Sequence, residues 1–110
     1  MKFVILPAAR EDILRQYRYY LLEKDSGEAA ENFLAAVQNA IQQICRRPGI
    51  GSPKVLNHPV LEGLRSASIK GFPAIRVYYL NSEKALRVIR ILHGKRDIAS
   101  ILENEPIDSE

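Results

Sequence analysis

Six cationic side chains in the second half of the chain lie inside or directly beside apolar runs. They are Arg65, Arg76, Arg90, His93, Lys95 and Arg96. A charged side chain in an apolar strand must reach water, a carboxylate or a bound partner. Two interpretations stay open: the stems of Arg76 and Arg90 cover apolar surface while their guanidinium groups remain solvated, or these groups bind an acidic partner. For His93 the alternatives are a structural residue at a strand end and a member of a binding site.

The sequence lacks the motifs of several common catalytic classes. Its two histidines and one cysteine are far apart and show no metal-ligand spacing. There is no G-x-x-x-x-G-K-[ST] phosphate loop, no G-x-G-x-x-G after a strand and no G-x-S-x-G elbow. We therefore expect no metal and no cofactor, and a hydrolase of acid–base or metal design is disfavoured.

The bulk composition indicates one small, basic domain. The chain has 110 residues, 46% of them hydrophobic, and its 16 Lys and Arg against 13 Asp and Glu give a net charge of +3. This imbalance permits an acidic partner, whether nucleic acid or an acidic protein segment, but demands neither. We expect a single domain over residues 1–103 and a flexible acidic tail over residues 104–110.

The expected location is the cytoplasm. Cys45 is the only cysteine, so no intrachain disulfide can form. The apolar run before Pro7 is too short for a signal peptide. No segment approaches the roughly 20 apolar residues of a membrane span.

The N-terminal half predicts a strand and two amphipathic helices. Residues 3–6 form a short strand, and Pro7 suits the first turn of the helix that follows. This helix has its apolar stripe at Ile13, Tyr17, Tyr20 and Leu21. Asp25 or Ser26 can cap the second helix, with Glu28 completing a capping box from Asp25. The second stripe consists of Ala30, Phe33, Val37, Ile41 and Ile44, and the two helices form an antiparallel hairpin.

The C-terminal half predicts strands. After an irregular loop over residues 50–62 the apolar period approaches two, which indicates strands over 64–69, 74–80 and 85–93. Strict alternation would place Arg87, Ile89, Ile91 and His93 on one face of the last strand, against Leu86, Val88, Arg90 and Leu92. Asp97 can cap a short helix over 97–102. The predicted class is α+β: an N-terminal strand and an α-helical hairpin packed on a small, mainly antiparallel sheet, with a short C-terminal helix.

These segments also resemble a known family. The run G-L-R at 63–65, I-K-G-F-P at 69–73, R-V-Y-Y at 76–79 and R-I-L-H-G-K-R-D-I at 90–98 is similar to the ParE branch of the RelE/ParE toxin superfamily. The L-H-G-x-R-D part is the most specific. The N-terminal elements are similar in order and length, so the resemblance covers nearly the whole chain.

The resemblance implies a function and partners. ParE-type toxins typically poison DNA gyrase and are neutralised by a ParD-like antitoxin whose flexible C-terminal segment wraps over the toxin. Operator DNA would be contacted only through the antitoxin complex. Relatives of the RelE branch instead cleave messenger RNA on the ribosome, without a metal.

The residues needed for RNA cleavage are only partly matched. Arg76 and Arg96 fall at positions similar to arginines of the RelE branch, but Ala67 and Ile69 occupy the stretch where that branch has lysines. These lysines and arginines would orient the 2′-hydroxyl and stabilise phosphorane charge.

A proton-transfer group is also missing. Ile101 and Leu102 stand where a RelE-like tyrosine would be expected, which leaves His93 as the only candidate general base or acid. This departure favours a protein-binding toxin in which Arg65, Arg76 and Arg90 meet antitoxin carboxylates. The alternatives are a metal-independent endoribonuclease acting through Arg76, His93 and Arg96, and a non-toxic binding module that acts only within the antitoxin complex.

Overall fold

The computed structural model describes residues 2–103, so the predicted tail over 104–110 lies outside the described residues. The helical half contains β1 (Phe3–Ile5), α1 (Pro7–Arg18) and α2 (Gly27–Arg46). The strands that follow are β2 (Ser52–Pro53), β3 (Arg65–Ile69), β4 (Phe72–Asn81) and β5 (Leu86–His93). Helix α3 (Ile98–Glu103) ends the described chain.

The five strands form one mixed sheet in the order β1-β5-β4-β3-β2. Strands β2 to β5 pair antiparallel with their neighbours, whereas β1 runs parallel to β5 with Phe3 opposite Leu86. Because both helices of the hairpin lie on one face, the arrangement is a two-layer α+β fold. The predicted fold class is confirmed.

Apolar side chains cover both faces of the sheet. On the hairpin face, α1 and α2 pack against residues such as Val77, Tyr79 and Val88. On the opposite face, which we call the loop face, Leu61 and Leu102 belong to a second cluster built on β4 and β5. Residues 56–64 and α3 cover this face.

Helix α2 follows its sequence pattern closely. All five residues of the predicted stripe are buried. The cap is Ser26, whose Oγ accepts the N–H of Ala29 at 3.0 Å. The capping box between Asp25 and Glu28 is wrong, because Asp25 takes a left-handed backbone conformation with φ 48°.

Helix α1 departs from its predicted stripe. Its buried residues are Ala9 and Asp12, and Leu21 is exposed. The chain widens into a π-helical turn over Tyr19–Glu23, which changes the direction of the side chains after α1. Tyr20 still packs against Phe72, with 5.5 Å between ring centroids.

An irregularity in the pairing of β4 with β5 changes which residues share a face. Tyr79 lies opposite Val88 while Tyr78 lies opposite Arg90, so Ile89 is an extra residue in β5. Beyond this bulge, Ile91 joins Val88 on the hairpin face, and Leu92 joins Ile89 on the loop face. The prediction of strict alternation along β5 is therefore wrong.

The segment predicted as an irregular loop contains short regular pieces. Strand β2 lies within it, and 3-10 turns cover Pro48–Ile50 and Pro59–Leu61. A two-residue strand is too short to show a period of two, so no sequence pattern indicates it. None of the helices within residues 2–103 has the length and apolar character needed to traverse a bilayer.

Candidate functional site

Three of the six cationic candidates lie together on the turn after β5. His93, the last residue of β5, is opposite Ile75, and the N–H of Gly94 donates to the carbonyl of Ala74 at 2.8 Å. The turn closes where the N–H of Arg96 donates to the carbonyl of His93 at 3.0 Å. We call residues 93–97 the β5 turn. Its three candidates, His93, Lys95 and Arg96, are all exposed.

Arg76 joins this group from the neighbouring strand. A Cβ atom at Gly94 would lie 3.1 Å from Cδ of Arg76, so the absence of a side chain there allows the close approach. The guanidinium donates from Nε to Oγ of Ser66 at 2.9 Å and from Nη2 to the Ser66 carbonyl at 3.1 Å. Arg76 is therefore half-buried and connects the β5 turn to β3.

Arg65 lies apart from this group. It faces Tyr79 across the sheet, whereas the β5 turn begins opposite Ile75. Its Nη1 donates to the carbonyl of Gly51 at 2.6 Å and to that of Gly49 at 3.4 Å. These bonds hold the segment after α2 against the sheet.

Arg90 is buried, with 7% of its surface exposed. Its Nε donates to Oδ2 of Asp12 at 2.7 Å, and its Nη2 donates to Oδ1 at 2.9 Å. The interpretation in which Arg90 stays solvated is therefore wrong. Because Arg90 is buried and paired, a second molecule can contact little of its surface. We therefore regard Arg90 as a structural residue that supports the site.

Sequence reasoning missed Asp12, although a signal was present. Asp12 stands between Ala9 and Ile13 on the face of α1 that packs against the sheet. A carboxylate at such a position is buried only when it is paired, so it indicates a cation on the facing element. Arg90 is that cation.

The electrostatics of the site are those of a cationic surface. Asp97 is the only carboxylate in the β5 turn, and its Oδ1 accepts the N–H of Ser100 at 3.2 Å, as expected of a helix cap. In β4, burial raises the pKa of the Tyr78 hydroxyl, and the Arg76 guanidinium partly offsets that rise. The exposed cations can therefore attract an anionic or acidic group.

The structure offers few groups for acid–base chemistry at this place. Where a RelE-like tyrosine would be expected, Leu102 is buried in the loop-face core and Ile101 packs beside it. His93 is the imidazole of the β5 turn. Within residues 2–103, no three His, Cys, Asp or Glu side chains come together in a way that could hold a metal ion.

The fold is shared with a solved toxin–antitoxin structure. A chain of the structure described as the chromosomal ParDE TA system from P. aeruginosa aligns with a TM-score of 0.55 and 19% sequence identity. The alignment covers 84% of this chain and 95% of that one. At this identity the likeness concerns the fold. A comparison with curated proteins finds no match.

The sequence itself identifies the family. The family model described as the ParE toxin of the type II toxin-antitoxin system, parDE, matches residues 3–98. The chain belongs to this family of toxins.

Proposed function

We propose that the chain is a cytoplasmic toxin that inhibits DNA gyrase and is held inactive by a cognate ParD-like antitoxin. The observation that carries this proposal is the family match over residues 3–98. Inhibition by binding fits a surface that presents cations but few groups able to transfer a proton.

The β5 turn is the surface we assign to the gyrase target. His93, Lys95 and Arg96 are exposed there, and Arg76 and Gly94 fix the turn on the sheet. A rigid cationic projection can bind an acidic surface with little loss of backbone freedom on binding. Rim charges of this kind mainly increase the association rate and make it dependent on salt.

The helical hairpin is a surface we assign to the antitoxin. Several large apolar side chains are exposed there: Leu14, Tyr19, Leu21, Leu22 and Leu34. Leu22 is the most open of them, at 70% exposure. An apolar helix of the antitoxin laid on this surface would remove these side chains from water. Operator DNA would then be bound by the antitoxin rather than by this chain.

A plasmid supercoiling and cleavage assay tests the gyrase proposal. Purified gyrase from the source organism is incubated with relaxed plasmid and ATP, with and without the chain. We expect loss of supercoiling and accumulation of linear plasmid, and we expect prior addition of the antitoxin to restore supercoiling. Unchanged supercoiling at a large excess of the chain would refute gyrase inhibition.

A metal-independent endoribonuclease remains a second candidate because of one observation. Arg76 lies against Gly94, and His93 and Arg96 belong to the same turn, joined by a backbone hydrogen bond. His93 could then move the proton of the attacking 2′-hydroxyl. Sequencing of transcript ends after induction tests this: cleavage that is lost in His93→Ala and Arg96→Ala would favour it, and intact transcripts would exclude it.

A further inference from the structure

Ser66 is a polar residue in β3 that has no exposed surface. It lies opposite Tyr78 of β4 on one side and opposite Ser52 of β2 on the other. A buried hydroxyl group lowers the stability of a fold unless it forms a hydrogen bond. The bond that this hydroxyl makes therefore indicates what the serine contributes to the molecule.

The hydroxyl of Ser66 binds the guanidinium of Arg76. Its Oγ accepts the Nε–H at 2.9 Å, and the backbone carbonyl of Ser66 accepts an N–H of Nη2 at 3.1 Å. Because Arg76 lies opposite Ser68, its side chain reaches along the sheet to Ser66. Nε and Nη2 lie on one edge of the planar guanidinium, so the two bonds fix both its position and its plane.

The positive charge of Arg76 has no counter-charge among the described residues. Within residues 2–103 its Nη1 forms no hydrogen bond, and no carboxylate forms an ion pair with it. The buried Arg90, by contrast, is paired with Asp12. A half-buried guanidinium with unused N–H groups is suited to bind a carboxylate of another molecule.

The β5 turn confines Arg76 from another side. A Cβ atom at Gly94 would lie 3.1 Å from Cδ and 3.4 Å from Cγ of Arg76, so the stem of this side chain packs directly against the glycine backbone. Ser66 holds the guanidinium, and Gly94 limits the movement of the stem. Arg76 is thus preorganised, because it has little side-chain freedom left to lose when a partner binds. The exposed Lys95 and Arg96 would lose more.

We propose that Arg76, held in place by Ser66, is the group of the target site that binds a carboxylate of gyrase. Ser66 is then a positioning residue, which contacts Arg76 but not the target. The exposed cations of the β5 turn attract the acidic surface, and Arg76 forms the hydrogen-bonded contact with it. This inference rests on the proposed function, because it takes gyrase as the target. It adds the central contact, the residue that sets its geometry and the chemical class of the bound group.

A double-mutant cycle in the supercoiling assay tests the positioning role. We expect Ser66→Ala to raise the concentration needed for half-inhibition by about fivefold, because Arg76 loses a bond that fixes its guanidinium. In a chain that already carries Arg76→Ala, the same serine substitution should change this concentration by less than about twofold. A purely structural effect of Ser66→Ala would instead weaken inhibition by the same factor in both backgrounds.

Ser68→Ala is the matched control for the serine substitution. It removes the same hydroxyl group from the same strand, but Ser68 is exposed and its side chain forms no hydrogen bond within residues 2–103. We expect inhibition by this variant to stay within about twofold of the wild type. Unfolding curves of all variants give the fraction of folded protein, and the half-inhibition values are corrected for it.

Single substitutions of the cations test whether Arg76 is the central contact. We expect Arg76→Ala to raise the concentration needed for half-inhibition by about tenfold or more. Lys95→Ala and Arg96→Ala should each raise it by about threefold, because exposed charges contribute less to affinity than a preorganised contact. Equal effects of the three substitutions would overturn the central place of Arg76.

NMR of the free chain tests the positioning role without gyrase. The Nε–H of Arg76, identified by its absence in Arg76→Ala, should exchange with water about tenfold faster in Ser66→Ala than in the wild type, because its bond to Oγ is lost. In Ser68→Ala its rate should stay at the wild-type value. The Nε–H of Arg90, which donates to Asp12 at 2.7 Å, is the internal control and should keep its rate in all variants.

The outcomes separate the two proposals. If the wild type inhibits gyrase but Ser66→Ala acts equally in both backgrounds, or leaves the exchange at Arg76 unchanged, the positioning role is overturned and gyrase remains the target. A wild-type chain that does not inhibit gyrase would overturn both. Non-additive substitutions, together with faster exchange at Arg76 in Ser66→Ala alone, would support the assignment.

Discussion

Asp12 in α1 and Arg90 in β5 form a buried, bidentate ion pair although they are 78 residues apart in the chain. The same carboxylate accepts the N–H of Ile91 at 2.9 Å. Strand β1 ends before it reaches Ile91, because Leu6, the residue after β1, donates its N–H to the carbonyl of Val88. Asp12 therefore accepts a hydrogen bond from a backbone N–H of β5 at the point where β1 has ended. This bond also holds α1 against the bulge.

We expect Asp12→Ala to destabilise the fold by about 3–5 kcal/mol, because it removes the carboxylate from a buried cation. Urea unfolding followed by circular dichroism measures this change. Arg15→Ala is the control, since Arg15 also contacts Asp12, at 3.3 Å, but its side chain is 68% exposed. Its cost should stay below about 1 kcal/mol. Equal losses of stability in the two variants would show that the ion pair with Arg90 contributes no more than the exposed contact with Arg15.

Gly51→Ala should destabilise the fold by about 1–3 kcal/mol, because the added methyl group has no room. A Cβ atom there would lie 2.6 Å from the Tyr79 hydroxyl and 2.7 Å from the Ser66 carbonyl. Gly49→Ala is the matched control, since nothing lies within 4 Å of its Cβ position, and it should change stability by less than about 1 kcal/mol. Thermal unfolding measures the stability of the two variants. A Gly51→Ala variant as stable as the wild type would contradict the tight contact.

Tyr78 should make the fold sensitive to alkaline pH. Burial raises the pKa of Tyr78 above its ordinary value of 10.0, so the folded state holds this proton more tightly than the unfolded state does. Below the unfolded pKa the two states bind the proton equally. As the pH rises past it, the unfolded state ionises first and folding stability is lost.

The contribution of Tyr78 is measured by urea unfolding at about pH 8 and about pH 10.5, on either side of the ordinary pKa of tyrosine. The wild-type chain should lose more stability over this interval than Tyr78→Phe does. Tyr19→Phe, at an exposed position, should behave like the wild type. An identical loss in all three proteins would mean that Tyr78 is not the group responsible.

The double substitution Lys95→Ala with Arg96→Ala should reduce gyrase inhibition without affecting the fold, since both side chains are exposed on the β5 turn. We expect the concentration needed for half-inhibition in the supercoiling assay to rise by about tenfold or more, equivalent to about 1.4 kcal/mol of binding. The effect should shrink at high salt.

Lys2→Ala with Lys84→Ala is the charge-matched control. Both lysines are exposed, and they lie at the opposite end of β5, near Leu86. Inhibition that falls equally in both double variants would indicate a general effect of net charge. Inhibition that stays at the wild-type level in the first would remove the β5 turn from the target surface.

Periodic patterns were sufficient to predict most of the fold. The stripe of α2 is buried as expected because a long amphipathic helix has one apolar face and no competing arrangement. Pro7 begins α1 because its fixed φ and missing N–H suit a first turn. Asp97 caps α3 by the local hydrogen bond that its side chain favours.

The features that sequence reasoning missed depend on contacts between distant segments. The bulge at Ile89 is a property of the pairing between β4 and β5, and no residue of β5 alone indicates it. Likewise, the burial of Arg90 requires Asp12 to face it from α1. The β5 turn could be placed at the end of a strand, but its contact with Arg76 follows from the sheet register.

The parallel pairing of β1 with β5 has a consequence for synthesis of the protein. A ribosome releases Phe3 long before Leu86, its partner in the sheet. Because the partners of β1 and of Asp12 both lie on β5, the N-terminal strand and Asp12 have no stable place until β5 has emerged. We therefore expect nascent and prematurely terminated chains to lack the closed sheet. A cell making this protein would therefore meet the folded form of this domain only after β5 has been synthesised.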